Sequence, residues 1–335
     1  MYSTGNSPLS NNADCLENGF LLSSQPIKES VDSDSSLPKI EAASCIAAEA
    51  KVLYAEDVSE LKLSENPWTE EVSVKELPVF LAPEESNGLS DSDKKQIASS
   101  AAQTLNIEIS SFPSGNSKSG DYVAICEDGS QISVTIDGTV QISGMPVSRP
   151  SVEIMGTSPR QSELKAGQYW YGVYEPFYQF AIPSFSMIPQ GQSQESSSYK
   201  ISVYEGAGNI NDQILSYNLY NGTISIGAGE VIESLTYTTV STAQTLGEYP
   251  LISADDAKQI LLSEKYGAEV LSNVSLSAQD IQDVSLVYWT DTDYRQPVYR
   301  FLVSLDTQET PAAFDSKKKA YGEYFVPAVS PQYWI

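Results

Sequence analysis

The fold of this chain is decided by YPLISADDAKQILLSEKYG (249–267), VSLVYWTDTDYRQPVYRFLV (284–303) and YGEYFVPAV (321–329), three segments of its last third. In the first, Ser253 stands three residues before Asp256, which is the spacing of a helix N-terminal capping box, and Gly267 is a suitable exit residue. The other two segments alternate apolar and polar residues, as strands with a buried face do. The sequence therefore predicts a helix over 254–266 followed by an antiparallel meander.

A similar order of elements is predicted near the front of the chain. Ser90 and Asp93 repeat the capping-box spacing ahead of a helix over 91–105, whose apolar residues recur at helical intervals. A strand over 121–126 and a hairpin over 131–143 follow, and their shared apolar face is a natural surface for the helix to cover. We therefore expect two related helix-and-strand folds in one chain.

The fold class predicted for the whole chain is α+β, with two helix-on-antiparallel-sheet units joined by long strands behind a disordered N-terminal leader. Residues 1–48 are rich in Ser, Asn, Asp and Glu and show neither a helical nor a strand period, so they are expected to be a flexible leader or tether. The N-terminal helix-plus-hairpin unit is predicted over 66–150. The C-terminal helix-plus-meander unit is predicted over 249–335.

Residues 151–248 are expected to be a strand-rich region that bridges these two units. Its apolar and aromatic segments, such as QYWYGVYEPFYQFAI (168–182) and QILSYNLYNGTISIG (213–227), are separated by Gly, Asn, Pro and Ser. Gly206 and Gly208 resemble a phosphate-cradling loop, but we expect a plain connection between strands, because no helix start is predicted after them.

The composition excludes several classes of function. The 335 residues include 44 acidic and 19 basic residues, a formal net charge of -25, so a nucleic-acid phosphate track or an anionic lipid surface would be repelled. Histidine is absent, which removes Ser-His-Asp and Cys-His arrangements and the commonest ligand of transition metals. We therefore expect no enzymatic activity, no cofactor and no bound metal.

The cysteines and the hydropathy pattern bear on where the protein works. Cys15, Cys45 and Cys126 follow no zinc-binding spacing, and two alternatives stand for Cys15 and Cys45: a disulfide in an oxidising compartment, or two free thiols. Cys126 is expected to be a small core residue. No segment has the roughly 20 apolar residues of a membrane-spanning helix, so we expect any membrane contact to be made through an anchor that this sequence lacks.

Six aromatic residues are the candidate binding surface, because exposed aromatic side chains can line a concave face for a peptide or a glycan. They are Trp170, Tyr171, Tyr174, Tyr178, Trp289 and Tyr294. Packing within a core or against a sheet is the alternative explanation for them.

Charged residues offer two further candidates. Arg300 lies in the middle of an apolar strand, and we expect it to form a structural ion pair with a neighbouring strand, because a buried guanidinium needs a partner. Glu175, Glu205 and Glu230 could include two carboxylates for glycoside hydrolysis, beside aromatic residues that could hold a sugar. The alternative for these glutamates is scattered surface charge.

The C-terminal third resembles a known family through ESLTYTTVSTAQTLGEYPLISADDAKQILL (233–262), VSLVYW (284–289), RQPVYRFLV (295–303) and YFVPAV (324–329). These segments resemble YycH/YycI-type accessory regulators of a cell-wall-sensing histidine kinase in Gram-positive bacteria. The resemblance implies a two-domain extracytoplasmic body on a membrane anchor. LPVF (77–80), together with the ISADDA helix start, also resembles PepSY-like modules.

The functional expectation follows from the excluded chemistry and the resemblance. We expect a non-enzymatic extracytoplasmic binding or regulatory module of a Gram-positive-type cell envelope, membrane- or lipid-anchored in its natural form, that modulates a membrane sensor. Its partner would be a protein or another envelope component. Two alternatives are a carbohydrate-binding or carbohydrate-active protein, and a PepSY-like protease inhibitor.

Overall fold

The computed structural model describes residues 37–41, 52–63, 66–81, 89–113, 120–136, 138–145, 159–189, 199–227, 231–238, 244–263, 276–290, 293–305 and 318–335. Within these residues the chain forms four α-helices and two antiparallel sheets. The mixed α+β class expected from the sequence is therefore confirmed.

The helices are α1 (Asp91–Thr104), α2 (Pro159–Tyr178), α3 (Ile210–Leu219) and α4 (Ala254–Leu262). The strands are β1 (Val52–Ala55), β2 (Glu76–Leu81), β3 (Ile109–Ser111), β4 (Tyr122–Cys126), β5 (Gln131–Val134), β6 (Val140–Ser143), β7 (Pro183–Pro189), β8 (Tyr199–Glu205), β9 (Gly222–Gly227), β10 (Val231–Tyr237), β11 (Gln244–Pro250), β12 (Ile281–Trp289), β13 (Tyr294–Ser304) and β14 (Lys319–Pro327).

The described residues fall into two compact units. The terminal unit comprises those within Met1–Leu61 and Leu246–Ile335, and the central unit comprises those within Lys62–Thr245. One sheet has six strands in the order β1-β14-β13-β2-β11, with β12 paired to β13. The other has eight strands in the order β3-β4-β5-β6-β10-β9-β8-β7.

The hydrophobic core of the central unit lies between the eight-stranded sheet and the helices α1 and α2. On β5 and β6, Ile132 lies opposite Ile142 and Val134 lies opposite Val140, and all four are buried. Because alternate residues of a strand share a face, these pairs form the apolar surface that α1 covers. The hairpin predicted over 131–143 and its packing against the first helix are confirmed.

The predicted helix starts at Ser90 and Ser253 are also confirmed. In both, the serine hydroxyl accepts a hydrogen bond from the backbone N–H of the aspartate three residues on, whose carboxylate accepts one in return. The meander is confirmed as well, since β12, β13 and β14 pair antiparallel in sequence order. The predicted exit at Gly267 lies outside the described residues.

The expectation that residues 151–248 are almost purely strands is wrong in two places. The first is α2, which occupies most of the segment predicted as a strand over 168–182. Trp170, Tyr171, Tyr174 and Tyr178 recur at the spacing of one helix face, which a strand would distribute over both sides of a sheet. The aromatic residues favoured a strand by propensity, but helical periodicity and packing decide the element.

The second error is α3, which replaces the first half of the strand predicted over 213–227. Asn209 and Asp212 form its capping box, with Asp212 N–H donating to Asn209 Oδ1 over 3.1 Å. A helix therefore does start directly after Gly206 and Gly208, contrary to the expectation of a plain connection between strands. The later strands of this region, β8, β9 and β10, lie where strands were predicted.

Part of the expected leader, residues 37–41, is packed within the terminal unit. Ile40 is fully buried; its N–H donates to Tyr333 O over 2.8 Å, and Ile335 N–H donates to Ile40 O over 3.0 Å. The expectation of a mobile leader over 1–48 is therefore wrong for residues 37–41. Residues 1–36 and 42–48, with Cys15 and Cys45, lie outside the described residues. Among the helices of the described segments, none has the length and apolar character needed to cross a membrane.

Candidate binding site

The aromatic surface predicted from the sequence is largely core. Trp170, Tyr171 and Tyr178 are 0%, 7% and 2% exposed, because α2 turns them into the core of the central unit. Tyr171 Oη donates to Phe180 O, and Tyr178 Oη donates to Thr223 O, each over 2.8 Å. The rings of these residues make apolar contacts in the core, and the backbone carbonyls accept the hydrogen bonds of the two buried tyrosine hydroxyls. The prediction that these three residues form a binding surface is wrong.

The other three predicted aromatics are half-buried and do not complete such a surface. Tyr174 stacks on Trp170 with ring centroids 6.5 Å apart. Trp289 and Tyr294 belong to the sheet of the terminal unit, where the Trp289 ring meets Phe325 edge-on at 4.8 Å. Of the six predicted aromatic residues, the structure therefore brings together the four on α2, and these four pack against the core.

Arg300 pairs with Glu323 of the neighbouring strand β14, the kind of partner expected for it. The two side chains lie diagonally on one face, since Arg300 is opposite Phe325 and Glu323 is opposite Leu302. Nη2 also donates to Leu61 O over 3.4 Å, while Nη1 has no hydrogen-bond partner among the described residues. The pair ties two central strands together, which is a structural role.

An open cavity of about 410 Å³ is present in the central unit, and sequence reasoning missed most of its residues. Its walls include Phe180, Tyr220 and Tyr237, all half-buried, and Leu215. Phe180 follows α2 and Tyr237 ends β10, and their ring centroids lie 6.0 Å apart at 67°. The cavity is therefore lined by three half-buried aromatic side chains that are not among the six predicted from the sequence.

Two carboxylates, those of Glu205 and Asp212, also line the cavity. Glu205 accepts three backbone hydrogen bonds, from Ala181 N–H at 2.6 Å, Ala207 N–H at 2.8 Å and Ile182 N–H at 2.9 Å. Partial burial acts to raise the pKa of Glu205, but the three N–H donors outweigh it and the pKa lies below its usual value. Glu205 is therefore a fixed negative charge at neutral pH.

Glycine is required in the loop between Glu205 and α3. Gly208 has a φ of +91°, and a Cβ there would lie 2.9 Å from Asp212 Oδ2. A Cβ on Gly206 would lie 3.0 Å from Ile182 O. A larger residue at either position would therefore disturb the loop that connects Glu205 to the start of α3.

Ser216 completes the described lining of the cavity, and its hydroxyl accepts a hydrogen bond from Glu205 N–H over 2.7 Å. Ile182, whose N–H binds the Glu205 carboxylate, is 60% exposed. The other exposed large apolar residues among those described are Val173, at 46%, and Ile335, at 66%. The cavity thus has an exposed apolar residue beside its fixed carboxylate.

The remaining candidates do not line the cavity. Glu175 is exposed on α2; after burial, its charge and that of Glu205 both raise the pKa of Tyr171. Glu230 lies outside the described residues. Cys126 is buried in the core of the central unit. Across the described segments, no group of three or more His, Cys, Asp or Glu residues is placed to hold a metal ion.

Two sequence signals bear on the cavity: Glu205, one of the three glutamates singled out above, and the Asn209–Asp212 spacing, which predicts a helix start and so places Asp212 beside the loop after β8. Comparison with known proteins adds nothing to this geometry: no protein-family model matches the chain, and no curated protein matches it. The function must therefore be argued from the site itself.

Proposed function

We propose that this chain is a non-enzymatic binding module that docks a protein partner at the cavity of the central unit. The observation that carries the proposal is the combination of half-buried aromatic walls, fixed carboxylates and the exposed Ile182 beside them. Aromatic and apolar anchors at the centre of a polar rim are typical of protein-binding hot spots. The partner is a protein, which Ile182 would contact through its apolar side chain.

The state of Glu205 supports binding over catalysis. A general acid needs a carboxyl whose pKa is raised, whereas three backbone donors lower the pKa of Glu205. Its oxygen atoms already hold the loop after β8 and the segment after α2 in place. A group with this structural duty is suited to present a constant charge to a ligand.

The place of action is part of the same proposal. The acidic composition and the resemblance of segments within 233–329 to extracytoplasmic regulators support a position outside the membrane, on an anchor in the natural form. In this setting the central unit would carry the docking cavity, and the partner would be a membrane sensor. Accessibility of an epitope tag on intact cells of the producing organism tests this position: a tag detected only after lysis would contradict it.

The docking function is tested by titrating the purified full chain against an array of peptides from the extracytoplasmic segments of that organism's membrane sensors. We expect saturable binding to discrete peptides that Ile182→Asp abolishes. The matched control is Val173→Asp, which adds the same charge at an exposed apolar residue of α2, whereas Ile182 is the one of the two whose backbone N–H binds Glu205; the control should bind as the wild type does.

A glycan array and an assay against exported proteases are run in parallel with the same variants. Binding of a defined saccharide without any peptide would favour the carbohydrate alternative and overturn the proposal. Inhibition of a protease that survives Ile182→Asp would favour the PepSY-like alternative and overturn it too. The burial of Trp170 and its neighbours already weakens the carbohydrate alternative, because these rings offer no platform for a sugar.

A further inference from the structure

We infer that the cavity takes the side chain of a lysine or arginine that the protein partner presents. This inference rests on the proposed function and names the chemistry by which the partner is recognised. It is carried by three features of the cavity: its charge, its aromatic walls and the remaining acceptor capacity of Glu205.

The charge of the cavity is negative. Glu205 and Asp212 line it, and none of its described lining residues is basic. The chain as a whole carries a formal net charge of -25, so its field attracts a cationic group and repels an anionic one. A basic side chain is therefore the complementary group for this cavity.

An anion at the start of α3 is the competing possibility, because helix N-termini attract negative charge. Three donors at this helix start already have acceptors: Asp212 N–H donates to Asn209 Oδ1, Asn209 N–H donates to Asp212 Oδ2, and Ala207 N–H donates to Glu205 Oε1. An anion there would also have to approach the carboxylates of Glu205 and Asp212, and this repulsion disfavours it.

Glu205 retains room for a cation. An ionised carboxylate has about four acceptor sites, and three are used by backbone N–H groups. Among the described residues, Oε1 accepts from both Ile182 and Ala207, whereas Oε2 accepts from Ala181 alone. An ammonium or guanidinium could therefore donate to Oε2 without disturbing the loop.

The aromatic walls suit the same group. A cation over the face of a tyrosine or phenylalanine ring, within about 6 Å of its centroid, is attracted by the ring quadrupole. Tyr237, Tyr220 and Phe180 line the cavity with half-buried rings, and Leu215 of the same lining is an apolar partner for the aliphatic stem of a long basic side chain. A volume of about 410 Å³ is adequate for one such side chain with its neighbouring peptide groups.

The test titrates the full chain with single-residue probes. The probes are the Nα-acetyl methylamides of lysine and arginine, with those of norleucine and citrulline as neutral counterparts, and binding is followed by amide chemical shifts. We expect the basic probes to bind about fivefold more tightly or better than the neutral ones, which is the scale of one cation–π contact plus an exposed ion pair. Raising the salt concentration should weaken only the basic probes.

Two matched variants locate the binding. Asp212→Asn removes a carboxylate from the cavity, and Asp93→Asn removes the equivalent capping carboxylate of α1, which does not line it. We expect about a fivefold loss of lysine-probe affinity for the first and no change for the second. Tyr237→Leu, which keeps an apolar wall but removes the ring, should also weaken the basic probes while leaving norleucine unchanged.

The outcomes separate this inference from the proposed function. Equal binding of basic and neutral probes, or an equal loss in Asp212→Asn and Asp93→Asn, would overturn the inference; peptide binding that Ile182→Asp abolishes would still support the proposed function. Tight binding of the polyamine spermidine in preference to lysine and arginine probes would also overturn it, because the occupant would then be a small molecule. Selective binding of the basic probes without any peptide binding would overturn the proposed function and leave the cavity as a cation site.

Discussion

Replacing Arg300 with methionine, Glu323 with leucine, and both together should give three different stabilities. The two side chains form an ion pair between β13 and β14 with only 8% and 18% of their surface exposed. The pair lies in the middle of the meander, so each substitution acts on two central strands at once. The three variants therefore separate the destabilisation caused by an unpaired buried charge from the net stabilisation that the ion pair contributes.

Removing one partner of a buried pair leaves the other charge uncompensated, which typically lowers the free energy of unfolding by about 3–5 kcal/mol. The loss for Glu323→Leu should be near the upper end of this range, because Arg300 is the more buried partner. Among the described residues it would keep only its 3.4 Å hydrogen bond to Leu61 O. The loss for Arg300→Met should be near the lower end of the range, because the Glu323 side chain is more exposed to solvent. The double variant should return to within about 1 kcal/mol of the wild type, since apolar residues often replace a buried pair without loss.

The assay is equilibrium denaturation in urea, followed by circular dichroism, with the coupling energy taken from the double-mutant cycle. Asp255→Asn is the control: its carboxylate lies 3.6 Å from Lys258 Nζ and is 91% exposed, so the change should be within about 0.5 kcal/mol. If Arg300→Met left the stability unchanged, or if the double variant lost the sum of both single losses, the buried-pair account of these strands would be refuted.

Three further predictions concern other parts of the fold. Burial raises the pKa of Tyr299 to about 12. The stability that the protonated hydroxyl contributes is therefore fully present below the ordinary tyrosine pKa of about 10 and is lost as the pH rises towards 12. Replacing Tyr299 with phenylalanine should reduce this alkaline loss in the free energy of unfolding by about 2–3 kcal/mol. Identical pH–stability slopes for the two proteins between pH 9 and 12 would contradict this. Gly222→Ala should cost about 1–3 kcal/mol in thermal or urea unfolding, because its Cβ would overlap the buried Tyr178 ring; a neutral result would show that the ring is not held against the strand. Asn209→Ala should cost about 1 kcal/mol in the same assay through loss of the α3 cap, and an unchanged midpoint would argue against that helix start.

The elements that the sequence predicted well carry a local signal. The capping serines of α1 and α4 are each followed three residues later by an aspartate, and a helix start depends on those few neighbouring residues. The same signal was available for α3, where Asn209 replaces serine, but β-branched and aromatic neighbours favoured a strand by propensity. For α2 the aromatic run misled in the same way, although its apolar spacing is helical.

The candidate site depends on contacts that no local pattern contains. Tyr237 lies opposite Gly222 across β10 and β9, and its ring meets Tyr178 and Phe180, which are more than fifty residues earlier in the chain. A side chain at position 222 would overlap Tyr178, so this aromatic cluster requires the glycine. Strand register decides which tyrosines are buried and which remain at the cavity. The sequence alone does not specify that register.

The fixed charge of Glu205 constrains what the cavity can do. Protonation of this carboxylate would weaken its hydrogen bonds from the N–H groups of Ala181, Ile182 and Ala207. These bonds therefore favour the ionised form. Because the pKa is lowered, the associated stability is present above the ordinary glutamate pKa and is lost only as the pH falls through the lowered value. Around neutral pH the group can therefore neither deliver a proton nor lose its charge. Glu205 therefore cannot act as a general acid near neutral pH, and its constant charge beside aromatic side chains is what the proposed basic side chain needs.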